Sequence, residues 1–389
     1  MLLATFLACM TGDAVPPAVA APVAEYVATE PAMAAIATAP PAPPRPPARI
    51  TILGAGDVIP HDPVKLSAAR YGWASLFAEI APMVAAADLA IVNLETPIAP
   101  VRSGRLAEKV FNAPVELAVA LRDVGFDGAA LANNHVWDQR TEGLLETLGN
   151  LDQVGLAHAG AGATCADAQK PVYFERNGIK VGWLSTTRIH NLYLNRGPDD
   201  PCVFKFDVDD ILAGVTAARA DGAELIVLSL HWGVEYQTTP KDWDERFART
   251  LVAGGVDIVL AHHPHVLQSA RWIEKNGRRG VVIHSLGNLM AAQGWSAGAA
   301  SGSSQALRRD GGLFEVVAER TAEGMRLVSA RLHPTWVEHG QTGCRGSPSR
   351  MRTVLIEAAL GDPAYAGCGY AARLPIVRRI VGAEFLAPK

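Results

Sequence analysis

From residue 49 onward, near-continuous apolar runs alternate with helical patterns, and this alternation restricts the folds open to the chain. The runs at 49–55 (RITILGA), 88–94 (DLAIVNL), 127–132 (DGAALA), 179–185 (IKVGWLS), 224–230 (ELIVLSL), 256–261 (VDIVLA), 281–285 (VVIHS), 313–318 and 326–332 read as strands. Most are apolar at successive positions, as expected of strands covered on both faces. Helical patterns fall near 75–86, 114–123, 141–153, 209–220 and 242–253. Alternation of this kind predicts a layered α/β domain. The last two strands follow each other without a helix, so part of the sheet is expected to be antiparallel.

The chain divides into three parts. Residues 1–48 combine a short apolar start, MLLATFLACM, with an Ala/Pro-rich stretch ending PAPPRPPAR. Proline blocks helix and sheet pairing, so this stretch reads as an extended linker. The start lacks a basic n-region, so it reads as a weak signal or anchor segment. Residues 49–334 form the main domain. Beyond about Pro334 the pattern weakens, and 335–389 reads as a partly helical C-terminal extension packed on that domain.

Composition excludes several classes. Of the 389 residues, 49% are hydrophobic and 19% charged, which suits a globular core rather than disorder. The formal net charge of −4 offers no basic footprint for nucleic acid. No apolar run reaches the ~20 residues of a membrane-spanning helix. None of the five cysteines forms a CxxC pair, which disfavours thiolate zinc sites. Cys165 with Cys202, and Cys344 with Cys368, could each close a local disulfide in an oxidising compartment; the alternative is four free thiols.

The chemistry-bearing residues cluster at the loops that follow strands. They are Asp57 with His61; Asn93 and Glu95; Asn133-Asn134-His135 with Asp138; His231 with Glu235 and Tyr236; His262-His263-Pro264-His265; and Ser285 with Asn288. Ligands of open α/β sheets bind outside the carboxyl ends of the strands. Carboxylates and imidazoles without thiolate form a ligand set for Zn, Mn, Fe or Ni. A carboxylate such as Glu95 can bridge two cations, and the amide oxygen of Asn134 adds a ligand without adding charge. Two cations ~3.5–4 Å apart can clamp both oxygens of a phosphoryl displacement. Singly, Asp57 could be a cap and Asn133-Asn134 turn residues. His231 could be a core histidine. His263 and His265 resist such a reading, because alternate residues of an extended segment rarely both need imidazoles for packing.

In order along the chain, GDVIPHD, VNLETPI, LANNHVWDQ, SLHWGVEY, AHHPHVLQ and HSLGNLM resemble the CapA family of poly-γ-glutamate capsule synthesis proteins, a branch of the calcineurin-like metallophosphoesterases. The resemblance covers roughly residues 49–290. It implies a four-layer αββα sandwich of the metallophosphoesterase type, with two divalent metal ions (Mn, Fe or Zn) on one edge. By the same resemblance, Asp57, His61 and His265 would hold one metal, Asn134, His231 and His263 the other, and Glu95 would bridge them. His135 would lie beside the scissile group and protonate the departing oxygen or stabilise phosphoryl charge, with Asp138 orienting it. Asn93, Glu235, Tyr236, Ser285 and Asn288 would shape the pocket. The pattern departs from the wider superfamily in placing His61 four residues after Asp57, Glu95 for a bridging Asp, and the acid partner of His135 at Asp138.

The function this implies is a metal-dependent hydrolase, phosphoester-cleaving, acting in capsule biosynthesis or export at a bacterial cell envelope. The alternatives are a non-catalytic polymer-binding accessory protein and a hydrolase of amide or γ-glutamyl bonds. The partners would be an anionic polymer or phosphoester substrate and membrane-bound capsule synthesis proteins, with no nucleic acid. Location would be exported, periplasmic or membrane-tethered. Arg102, Arg105, Lys109 and Arg188 are the candidate cations for a polyanion.

Overall fold

The computed structural model describes residues 48–102, 110–339 and 350–387. The expected signal segment and linker, Cys344, Arg105, Lys109 and the Arg102 side chain lie outside the described residues. All described residues belong to one compact unit, Arg45–Lys389.

The strands in chain order are β1 (Ala48–Val58), β2 (Leu89–Leu94), β3 (Gly128–Ala130), β4 (Ala157–Ala159), β5 (Ala161–Gly162), β6 (Val172–Arg176), β7 (Ile179–Thr187), β8 (Cys202–Val203) and β9 (Leu225–His231). They continue with β10 (Ile258–His262), β11 (Ala270–Lys275), β12 (Arg278–Ile283), β13 (Asn288–Met290), β14 (Asp310–Thr321), β15 (Gly324–His339) and β16 (Met351–Leu355). One sheet runs β16-β15-β14-β1-β2-β3-β4, with β13 also on β1; the other runs β11-β12-β10-β9-β7-β6. The centre of each sheet is parallel (β1-β2-β3-β4; β12-β10-β9-β7). The pairs β1-β14, β14-β15, β15-β16, β11-β12 and β6-β7 are antiparallel, the helix-free pair β14-β15 among them.

The apolar runs are continuous because each sheet is covered twice. In β1, Ile50 and Ile52 point into the space between the sheets, where they meet Trp183, Leu260 and Ile283. Their neighbours Leu53 and Ala55 point outward, into the core shared with the helices Val115–Val124 and Arg140–Val154. In the second sheet Leu184, Leu228 and Val259 turn outward onto the helices Val208–Ala220 and Asp242–Ala253. The order is therefore helix, sheet, sheet, helix, the expected αββα sandwich. At Gly54 the sheets leave no room for a side chain: a Cβ there would lie 2.5 Å from Leu260 Cδ2.

Every expected strand is present, and four of the five expected helices are close to their predicted bounds. The segment 75–86 differs. It holds a 3-10 turn, Trp73–Leu76, then a separate helix, Ala81–Ala86, with Pro82 in its first turn. Proline cannot donate within a helix but suits a helix start, so it restarts the helix instead of extending it. A further helix, Asp62–Tyr71, begins directly after His61, with Pro63 in its first turn. The expected boundary near 334 falls inside β15, and β16 adds a further strand to the same sheet. Among the described residues no helix is long and apolar enough to cross a membrane.

Cys165 and Cys202 are joined by a disulfide across 37 residues. Cys368 is also disulfide-bonded. Cross-linking a loop of this length stabilises by about 3–4 kcal/mol. The double variant Cys165→Ser/Cys202→Ser is therefore expected to lower Tm by roughly 5–10 °C, as read by thermal denaturation; an unchanged Tm would mean the crosslink leaves the unfolded chain unconstrained.

Candidate metal centre

The carboxyl ends of the parallel strands of both sheets carry the polar residues. Asp57 is the penultimate residue of β1, in register with Asn93 of β2 and Asn288 of β13. Glu95 follows β2. The Asn133-Asn134-His135 loop follows β3. His231 and His262 end β9 and β10 and are paired in register. Asp57, Glu95, Asn134, His135, His231, His263 and His265 are all buried.

Among the described residues, three groups of side chains bring ligand atoms within 4.8 Å of one another: Asp57, Glu95 and His265; Glu95, His231 and His263; and Glu235, His263 and His265. Glu95 belongs to two of them, as a bridging carboxylate must. Its Oε1 is buried with no hydrogen-bond partner, while His231 Nε2 and His265 Nε2 stand 3.8 and 3.7 Å away. Asn134 Oδ1 lies 2.9 Å from His231 Nε2, on the same side. An orphaned buried carboxylate oxygen among imidazole nitrogens and an amide oxygen fits a divalent cation.

The electrostatics agree with that fit. Burial and the adjacent Asp57 charge push the Glu95 carboxyl well above the usual range. Burial would also raise Asp57, but hydrogen bonding and charge from His262 and His265 hold it well below. Burial pushes His231 well down and takes His263 to about 4, helped by the neighbouring histidines. Neutral imidazoles offer lone pairs to a metal.

Outer contacts fix these groups. Asn93 Nδ2 donates to Asp57 Oδ1 (2.8 Å) and Glu95 Oε2 (3.2 Å). His265 Nδ1 bonds Asp57 Oδ2 at 3.0 Å, and His262 Nδ1 stands 3.2 Å from Oδ1. Asn288 Nδ2 donates to the carbonyl of His265. Ser285 Oγ accepts from the N–H of Gly287. His263 and His265 both adopt left-handed backbone, φ 96° and 55°. Such conformations cost ~1–3 kcal/mol each and collect where function requires them. Tyr236, also left-handed, donates its N–H to the carbonyl of Pro264 and ties this turn down.

Beside these three groups stands a second pair. His135 Nδ1 lies 2.8 Å from Asp138 Oδ2, which also accepts the N–H of Phe111 at 2.6 Å. His61 does not join the three ligand groups: its Nδ1 is 3.3 Å from both the Ile59 carbonyl and the Ala292 N–H, and its ring meets Phe111 edge-on. Arg188, one of the four candidate cations, is held 3.6 Å from Asp244 and lies over Phe206 and Phe247. It is a packing residue rather than an open cation.

The sequence motifs miss Asn191 and Phe111. Asn191 accepts from Asn134 Nδ2 at 3.2 Å and sits 3.4 Å from His135 Nε2. It follows β7, so the strand-end rule that found the other residues also covers it. Phe111 packs against both His61 and His135, and no spacing signal marks it.

Gly56 admits no side chain. A Cβ would lie 2.2 Å from the Gly287 carbonyl oxygen, the acceptor of the Asp57 N–H. Gly56→Ala is expected to cost about 1–3 kcal/mol through overpacking and to reduce metal uptake by displacing Asp57. Denaturation and metal titration of the variant check both, and normal values for both would refute the argument.

A family model described as "Bacterial capsule synthesis protein PGA_cap" matches residues 51–293. Over 285 residues the chain is 30% identical to the capsule biosynthesis protein CapA of Bacillus anthracis, covering 71% of this chain and 68% of that one. Over 244 residues it is 30% identical to the PGA biosynthesis protein CapA of Bacillus subtilis (strain 168), covering 62% and 63%. The matches thus span about two thirds of these relatives' length. Among solved structures, the calcineurin-like phosphoesterase YfkN of Bacillus subtilis shares 14% identity at a TM-score of 0.46, covering 74% of this chain and 91% of that one. The NAD nucleotidase NadN of Haemophilus influenzae shares 11% at 0.47, covering 88% and 57%. Since the family model covers well over half of the chain, and the Bacillus anthracis relative is matched over most of its length, the chain belongs to the bacterial capsule synthesis protein PGA_cap family.

Proposed function

We propose that the chain is a metal-dependent hydrolase of phosphoester bonds, acting in capsule synthesis at the bacterial cell envelope. The observation that carries this reading is Glu95 Oε1, buried without a partner between His231 Nε2 and His265 Nε2. Asp57, Glu95 and His265 would hold one divalent cation; Glu95, Asn134, His231 and His263 would hold a second. Bound there, two cations supply Lewis-acid stabilisation of phosphoryl charge and lower the pKa of water.

The chain's own residues do the rest. Asp138 accepts the Nδ1–H of His135 and so fixes the tautomer, leaving Nε2 as the working atom. A second donor, the Phe111 N–H, holds the Asp138 carboxylate in place. His135 Nε2 can then carry the proton that the departing oxygen needs. Asn191 and the Phe111 ring limit how the imidazole turns. A scaffold that only binds polymer has no use for this oriented imidazole, which favours an enzyme over an accessory protein. The names of the Bacillus relatives support the capsule role.

The test is elemental analysis of the purified chain, with turnover of an aryl phosphomonoester and phosphodiester with and without Mn²⁺. Two metals per chain with metal-dependent turnover are expected. Metal without turnover of either ester would overturn the phosphoesterase reading in favour of a binding role or another bond. A chain that takes up no metal would overturn the site itself.

A further inference from the structure

The cations near the metal centre are mostly committed. Arg188 is paired with Asp244. Arg309 donates Nε to the Val337 carbonyl at 2.7 Å and Nη1 to the Ala297 carbonyl, beneath Trp336. Its neighbour Arg308 is different. Among the described residues its guanidinium makes no hydrogen bond or ion pair, and its Nε is buried without a partner. The guanidinium carbon lies 3.8 Å over the Tyr236 ring, whose centroid is 6.2 Å from that of His265. The Arg308 carbonyl is fixed by Asn288 Nδ2 at 2.7 Å, the same nitrogen that bonds the His265 carbonyl. The carboxylate nearest in sequence to Tyr236, Glu235, groups with His263 and His265 instead.

A guanidinium stacked on an aromatic face keeps its N–H donors in its own plane. It is anchored and charged, and among the described residues it lacks an acceptor. Leaving the buried Nε unmet is costly, and a planar fork matches the paired oxygens of a carboxylate or phosphoryl group.

We propose that Arg308 holds an oxyanion of the substrate beside the metal centre, with Tyr236 as its platform. The inference rests on the metal centre being where substrate is held. The oxyanion has two possible sources: the phosphoryl group that is cut, or a carboxylate carried beside it.

Isothermal titration of the full chain with orthophosphate and with glutarate, before and after Mn²⁺ addition, separates these. Arg308→Gln is expected to weaken at least one anion by about tenfold or more, with metal content and Tm unchanged. Arg308→Lys keeps the charge without the fork and is expected to fall between; it also carries the test should Arg308→Gln fold poorly. Arg279→Gln, an exposed stacked arginine over Trp272, is the control and should bind as wild type does. A loss for orthophosphate alone assigns the phosphoryl group, and a loss that includes glutarate assigns a carboxylate. Equal binding by wild type and both variants, or no binding of either anion by wild type, overturns the proposal. Turnover is scored separately. Anion binding that depends on Arg308 without ester hydrolysis would defeat the hydrolase reading and leave this one standing.

Discussion

Glu95→Gln is expected to remove most of the chain's affinity for divalent metal while leaving the metal-free fold intact. Glu95 is the one carboxylate shared by two ligand groups, so its loss acts on both positions together. Changes to groups that merely orient ligands cost ~10–100-fold in affinity, and loss of a shared ligand is expected to exceed about 100-fold. Wild type at metal concentrations near 1,000 times Kd gains about 4 kcal/mol of stability per site. A variant bound 100-fold more weakly gains only about 1.4 kcal/mol under the same conditions. Without metal the variant should melt no lower than wild type. The amide oxygen can still accept from Asn93, and the substitution replaces a carboxyl whose charged form burial already disfavours. Melting curves in Mn²⁺ and in EDTA check both halves. An Mn²⁺ shift equal to that of wild type would remove Glu95 from the site, whereas collapse in EDTA would make it a structural residue.

The second large effect is expected at His135. His135→Ala should lower kcat by about 10²–10⁴ with metal content unchanged, because the imidazole is not a member of any ligand group. Asp138→Asn should give part of that loss. Its amide can meet the Phe111 N–H, but it no longer supplies a charged acceptor that fixes Nδ1–H. Paired measurement of kcat and bound metal separates the two roles. If both variants turn over like wild type, the leaving oxygen is protonated elsewhere. If both lose metal, the His135–Asp138 pair is part of the cation cage.

The expected boundary near 334 and the arginines mark where local sequence patterns stop being informative. The sequence places residues at strand ends, because apolar runs and the polar residues that stop them are local features. It has no means of showing which cations are already paired. Arg188 sits in a strand-end loop as an open cation would, yet Asp244, from the distant helix Asp242–Ala253, takes it. Arg308 follows a four-residue helix and carries no pattern at all. The weakening pattern after 334 is likewise a local signal, while β16 is held by pairing with β15 across a stretch of chain.

What the sequence by itself determined is the layered α/β class and the edge that carries the chemistry. Both follow from strands that are apolar on two faces and from polar residues placed where those strands end. Only the tertiary structure decided which of those residues converge. Asp57 meets His265 across 208 positions, and His231 meets Asn134 across 97. These contacts arise where the carboxyl ends of two different sheets are brought to one edge. Register and packing between sheets set the distances there, and neither is written in local periodicity.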